Sequence, residues 1–176
     1  MDFVEFPKIA RLSREMVVTE KLDGTNASIT ITGDGRFLTG SRTRWITPSD
    51  DNFGFSAWAH ANKDELLKLG VGSHFGEWWG EGIQRNYGLK ERRWSLFNVG
   101  RWTPENKPGC CHLVPVLYTG VFDSQAVQAQ LDRLQDNGSF AVHGFLNPEG
   151  VVVYHSGANI CFKKTIHKDE EWKGKR

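Results

Sequence analysis

The sequence predicts an α+β fold built on antiparallel sheets with flanking helices. Three observations carry that expectation. Short runs of alternating apolar and polar residues recur along the chain, helical periodicity is confined to two isolated stretches, and strands and helices never alternate in the βαβ order of a parallel sheet. A length of 176 residues suits one domain with a substantial core.

The elements follow in order. Met16–Thr19 reads as a first strand leading into the turn Asp23-Gly24-Thr25-Asn26. Ala27–Thr32 alternates as a second strand, Gly33-Asp34-Gly35 supplies a hairpin turn, and Arg36–Thr39 returns. From about Phe53 to Leu69, the residues Phe55, Trp58, Ala59, Leu66, Leu67 and Leu69 recur at helical spacing. Asp50, Asp51 and Asn52 stand before them as capping candidates. His74–Trp78, Trp94–Val99 and Leu113–Tyr118 read as further strands. A second helix covers Gln125 to Gln135, with Ser124 as N-cap candidate, Val127, Leu131 and Leu134 on one face, and Gly138 past its end. Gly150–Tyr154 and Ile160–Thr165 are the last strands. The closing KDEEWKGKR reads as a solvated end, so one domain over residues 1–176 is expected, with no second domain after it.

Composition narrows the function classes. A net charge of +1 argues against a broad nonspecific grip on nucleic acid, so any such contact must come from local patches such as Arg42 with Arg44 or Arg92 with Arg93. No apolar run approaches membrane-span length, and MDFVEF is not a signal peptide, so no membrane partner is expected. Three cysteines suit a reducing compartment and a cytoplasmic location. Cys110-Cys111 beside His112 lacks the paired spacing of a zinc site, and His74, His143 and His155 have no ligand spacing between them. Six of the seven tryptophans fall between Trp45 and Trp102. Most are read as core filling, although such a face also receives a nucleotide base.

One stretch raises a chemical question. In VTEKLDGTNASI, Lys21 stands at the mouth of a small polar turn with Asp23 two positions on. Alone, K-x-D-G is weak. Three later clusters add weight: Gly40-Ser41-Arg42-Thr43-Arg44 after the hairpin strand, Phe75-Gly76-Glu77-Trp78-Trp79-Gly80, and Glu149-Gly150-Val151-Val152-Val153-Tyr154 followed by Lys163-Lys164. A lysine, an arginine, two glutamates and two more lysines, each at a strand edge or turn, are what a nucleotide-phosphate site requires.

In order and spacing these segments resemble the collinear motifs of the covalent nucleotidyltransferases, the superfamily of DNA ligases, RNA ligases and mRNA capping enzymes. EKLDGTN resembles the nucleophile motif, SRTR the arginine motif and FGEWWG the ribose-contacting motif. WSLFNV resembles the adenine-stacking motif, EGVVVY the metal-associated one and CFKKT the closing lysine motif. The asparagine of EKLDGTN and the form SRTR are most similar to the RNA ligase 2-like branch. The resemblance spans Thr19 to Thr165 and implies a ligase adenylation (nucleotidyltransferase) domain.

It further implies residue roles. Lys21 would attack the α-phosphate of ATP to give a lysyl–AMP intermediate, with Glu20 near the adenine. Asn26 and Arg42 would contact the adenylate or the phosphate of the incoming strand. Glu77 would accept hydrogen bonds from the ribose, and Phe97 would stack on adenine. Glu149 would hold Mg²⁺ or Mn²⁺, and Lys163 with Lys164 would sit on the α-phosphate. The implied substrate is RNA with 5′-phosphate and 3′-hydroxyl ends.

The residue types suit that chemistry. A lysine with an ordinary pKa of ~10.4 is protonated at neutral pH, and burial or neighbouring cations release the amine as a nucleophile. Cations around the transferring phosphoryl group stabilise its developing charge. A hard divalent ion prefers carboxylate oxygen, and arginine binds phosphate bidentately. On the residues alone, Arg44 competes with Arg42 and Trp94 with Phe97. A DNA or nick ligase, a capping-type guanylyltransferase and a non-catalytic nucleotide- or RNA-binding module remain alternatives, and oligomeric state stays open.

Two departures from the family pattern stand out. The lysine pair is adjacent where the family has lysine–any–lysine, and Lys163, standing first, is expected on the phosphate. No downstream domain is expected either, which leaves end joining by this chain in question while self-adenylation needs only what is present.

Overall fold

The computed structural model describes residues 1–167, and the segment KDEEWKGKR read as a solvated end lies outside the described residues. Its first strand, β1 (Glu15–Lys21), is central to one sheet, and the chain crosses through Leu22-Asp23-Gly24 directly into β2 (Thr25–Ile31) of another. There follow β3 (Phe37–Ser41), β4 (Trp45–Ile46), α1 (Phe55–Ala61), α2 (Lys63–Leu66), a 3₁₀ turn (Leu67–Leu69), β5 (Gly72–Gly80), β6 (Arg92–Leu96) and β7 (His112–Leu113). β8 (Val116–Val121), α3 (Ser124–Asn137), β9 (Gly150–His155) and β10 (Ile160–Thr165) complete the order.

Two sheets result, a four-stranded one in the order β10-β9-β1-β8 and a six-stranded one in the order β4-β3-β2-β5-β6-β7. Every pairing is antiparallel except β6 with β7. The α+β expectation holds. Each sheet buries one face. Met16, Val18, Val151 and Val153 pack against Val127, Leu131 and Leu134 of α3. Ala27, Ile29, Trp78, Trp94 and Leu96 pack against Phe55, Ala59, Leu66 and Leu69. A third cluster, Leu22, Trp79, Tyr87 and Val114, fills the seam beside the crossover.

Several boundaries differ from expectation for identifiable reasons. The helix expected over Phe53–Leu69 is broken: α1 stops at Asn62, whose side-chain amide donates back to the Trp58 carbonyl, and α2 and the 3₁₀ turn follow. Asp51 serves its N-terminus from a distance, accepting the amides of Ser56 and Ala57 at 2.8 and 2.9 Å. For α3 the N-cap is Asp123, which accepts the Gln125 amide, rather than Ser124. The strand expected at Leu113–Tyr118 divides around Pro115, which has no amide to give a ladder. The strand expected to end at Val99 ends at Leu96, and the short β4 carries too few residues for an alternating signal.

Candidate active site

β1 runs past Thr19 to Lys21 because both charged residues at its end find partners. Alternation sends them to opposite faces. The Glu20 carboxylate turns toward the α3 layer, where it accepts the Ser139 hydroxyl at 2.6 Å and the amides of Phe140 and Ala141 at 2.8 and 3.1 Å. Burial pushes its carboxyl above the ordinary range, and those donors offset part of the rise. The structure therefore does not bring the Glu20 side chain to the face of Lys21, and its hydrogen bonds tie the loop after α3 to β1.

Lys21 takes the opposite face of β1, toward Glu149 and within reach of the charge of Glu77 on the other sheet. Its Nζ lies 2.6 Å from Glu149 Oε2, with the two side chains 23% and 20% exposed. Glu149 immediately precedes β9, whose Gly150 stands opposite Lys21 in the ladder. The connector that follows Lys21 is fastened at each residue. Leu22 is buried in the seam, the Asp23 amide donates to the Tyr87 hydroxyl at 2.8 Å, and the Gly24 amide donates to Glu77 Oε1 at 3.0 Å. Gly24 is required by close approach: a Cβ there would meet the Trp78 carbonyl oxygen and lie 2.7 Å from Trp79 Cβ.

Glu77 of β5 joins the site from the other sheet. Its second oxygen accepts the Asn26 side-chain amide at 2.8 Å, and Asn26 and Glu77 are register partners. Burial pushes the Glu77 carboxyl up to about 7; the Asn26 and Gly24 donors and the charge of Lys21 oppose the rise, and Glu149 adds to it. A folded-state pKa above the ordinary 4.5 means the folded protein holds this proton more tightly. The resulting penalty is absent below about pH 4.5 and grows until pH passes 7, reaching about 3 kcal/mol at most. Glu77→Gln removes that penalty, and its amide matches both neighbours once the Asn26 amide flips. We expect Glu77→Gln to raise the thermal midpoint at pH 8 and to change it little at pH 5, measured by scanning calorimetry. An equal shift at both pH values would refute the ionisation account.

The remaining sequence-predicted residues are placed as follows. Register puts Lys163 opposite Val152, itself opposite Thr19, so Lys163 shares the Lys21 face two strands away. Lys164, opposite Val151 and so in line with Glu20, lies on the α3 face. Phe97 sits just past β6, 41% exposed, with its amide bonded to the Phe75 carbonyl. Arg42 is exposed at the tip of the β3–β4 turn, whereas Arg44 is held by both oxygens of Asp50 at 2.6 and 3.1 Å. Trp94 is fully buried in the core.

Two residues that organise the site escaped the sequence reading. Arg85 donates to Asp23 Oδ2 at 2.8 Å and to both oxygens of Asn147, bridging the connector after Lys21 and the loop before Glu149. Tyr87 receives the Asp23 amide from beneath. Both lie in an aperiodic loop with positive φ at Gln84, Asn86 and Tyr87. The density of turn-forming residues there was the only available signal.

The arrangement thus brings an amine and two carboxylates from both sheets within electrostatic reach of one another, with the exposed Phe97 two residues past Ser95, the register partner of Glu77. Residues 14–168 match the family model for RNA ligase. The chain belongs to the RNA ligase family. Solved structures of Naegleria gruberi RNA ligase share the fold. A variant solved with ATP and Mn superposes with a TM-score of 0.62 at 20% identity, covering 93% of this chain and 53% of that one. A variant with AMP and Mn gives 0.62 at 21% identity, covering 88% and 50%. The chain spans about half the length of these structures. No curated protein gives a significant sequence match. Among the described residues no helix is long and apolar enough to cross a membrane, and no group of three or more His, Cys, Asp or Glu could hold a metal ion.

Proposed function

We propose that this RNA ligase family member is an ATP-dependent RNA ligase that works through a lysyl–AMP intermediate on Lys21, with residues 1–176 as its adenylation domain. The observation that carries the reading is the meeting of Lys21 and Glu149, 128 positions apart in sequence, at 2.6 Å at the cleft mouth, within electrostatic reach of Glu77. The Lys21 ammonium sheds one proton to solvent, its nitrogen attacks the α-phosphorus of ATP, and a second N–H proton leaves to solvent as the phosphoramidate forms. The N–P bond forms as the bond to the bridging oxygen breaks, and pyrophosphate leaves with that electron pair. An oxygen of an RNA 5′-phosphate then attacks the same phosphorus, the N–P bond breaks, and the Lys21 nitrogen takes up two protons to return to the ammonium. Attack of a 3′-hydroxyl on the activated 5′-phosphate forms the phosphodiester and releases AMP.

Within this scheme Asn26 and Glu77 hold the ribose side of the nucleotide, Phe97 stacks on adenine, and Lys163 approaches the α-phosphate from its place on the Lys21 face. Arg42 receives the strand phosphate. Lys164 acts from the opposite face, supporting β10. Glu149 offers the hard carboxylate oxygen that Mg²⁺ or Mn²⁺ prefers, and with no metal-holding acidic cluster among the described residues the rest of the shell would be water and phosphate oxygen, the environment such ions accept. When bound, the cation supplies positive charge against the phosphates. Function in the cytoplasm suits the three free cysteines.

The test is covalent labelling. The protein incubated with ATP labelled at the α-phosphate and Mg²⁺ or Mn²⁺ should retain label through denaturation, mapped by mass spectrometry to Lys21; labelled GTP should compete poorly. Absence of label with either nucleotide refutes the reading, and efficient labelling by GTP alone replaces it with a capping-type reaction.

A further inference from the structure

The cleft face of the six-stranded sheet carries more aromatic surface than adenylate transfer uses. Trp45 stands opposite Gly40, Gly40 opposite Ser28, and Ser28 opposite Phe75. The Phe97 amide donates to the Phe75 carbonyl and extends this row by one strand. Directly opposed residues of antiparallel strands share a face. The row therefore lies on the face of Asn26 and Glu77, two residues and about 7 Å along the strands from that pair.

Its chemistry is unlike the rest of the sheet. Trp78, Trp79 and Trp94 are almost completely buried, whereas Trp45 and Phe75 are 60% and 59% exposed. Between these two rings the floor is a glycine and a serine. A Cβ on Gly40 would come within 3.4 Å of the Trp45 ring, so the indole rests against bare backbone and keeps its other face open. Three strand spacings separate Trp45 from Phe75, about 14 Å. At the Trp45 end, Arg42 makes no hydrogen bond or ion pair among the described residues, in contrast to Arg44 with its bidentate Asp50. Open aromatic faces beside an unengaged guanidinium match a ligand that alternates flat bases with phosphates. Bases inside a duplex are already stacked on their neighbours, so a single strand is the better fit.

We propose that this row seats the terminal unpaired nucleotides of an RNA strand, with bases stacked on Trp45 and Phe75 and a strand phosphate on Arg42. The identity of the strand as RNA rests on the ligase reading above; the stacking surface rests on the row itself.

The experiment measures anisotropy of a short single-stranded RNA carrying a 5′-phosphate and a 3′ fluorophore, titrated with the full chain. Trp45→Leu keeps apolar bulk and removes the aromatic face, and should weaken binding about tenfold, while Trp45→Phe should retain most of it. Arg42→Ala should weaken binding and flatten its salt dependence by about one phosphate contact. The same RNA annealed into a blunt duplex should bind less tightly. Thermal midpoints of the variants exclude misfolding as the cause. Equal affinities for the wild type and Trp45→Leu overturn the proposal, as does equal loss in the Leu and Phe variants. Sedimentation of the wild type as a dimer that Trp45→Leu converts to monomer assigns the face to a second copy and overturns it too. Covalent labelling by ATP needs no RNA, so the two readings fail separately. Label without aromatic-dependent RNA binding removes only the stacking surface, and aromatic-dependent binding without label removes only the joining chemistry.

Discussion

Lys21→Ala is expected to lower covalent labelling by ATP to background, a loss on the order of a thousandfold or more, because the proposed reaction would lose the atom that bonds to phosphorus. Among the described residues, Lys163 shares the face but stands two strands away, and Lys164 lies on the opposite face. The loss should not come from unfolding. The Lys21–Glu149 pair is about one-fifth exposed on each side, so removing one member costs between the ~1 kcal/mol of an exposed pair and the ~3–5 kcal/mol of a buried one, within what a domain's stability of about 5–15 kcal/mol absorbs. Lys21→Arg sharpens the test. It keeps a cation against Glu149, yet a guanidinium does not deprotonate in a protein, so labelling should be lost with stability retained. Label persisting in both variants would remove Lys21 from the chemistry.

The second large effect is expected from Gly24→Ala. Its Cβ would press on the Trp78 carbonyl oxygen and lie 2.7 Å from Trp79 Cβ. β5 cannot yield, since Trp78 and Trp79 are buried and their indole N–H groups donate to the Phe53 carbonyl and the Ser95 hydroxyl at 2.9 Å each. The connector must move instead, breaking the Gly24–Glu77 hydrogen bond and displacing Leu22 after Lys21. We expect a stability loss of about 2–4 kcal/mol in urea unfolding, together with loss of labelling at temperatures where the fold persists. Gly33→Ala is the control, because a Cβ there meets nothing within 4 Å. A Gly24→Ala protein as stable as the control would show that the connector is free to shift.

Much of this architecture was legible because its signals are local. Alternation in Ala27–Thr32, the Gly33-Asp34-Gly35 hairpin and the apolar stripe of α3 each need only their own residues. What the sequence hid depends on distant partners. Glu20 and Lys21 look like the end of a strand because they are charged; they continue it because Ser139 and Glu149 receive them. The expectation of Glu20 near adenine, drawn from the resemblance, says nothing of which face a strand residue takes, and alternation along β1 sets its carboxylate on the face opposite Lys21. Arg85 is invisible for a related reason: its importance lies in touching Asp23 and Asn147 at once, 62 positions away on either side. Lys21, Asn26 and Glu77, by contrast, could be singled out because a resemblance stores long-range geometry that periodicity cannot.

The two faces of β1 bear on how the chain guards against error. Lys21 and Glu20 are neighbours with opposite charge, sent to opposite sides of one strand. A slip of a single residue that set the acid opposite Glu149 would thrust the ammonium into the place of Leu22, in the apolar seam with Trp79, Tyr87 and Val114. That mistake is costly at both ends, for it would orphan the Ser139 hydroxyl and the two amides after it and leave Glu149 facing another carboxylate. β1 is also clasped by β8 and β9, so any slip must break two ladders together. A misregistered copy would announce itself as an unstable protein before it could become a stable but inactive one, and the sorting of faulty molecules is thereby left to unfolding and degradation.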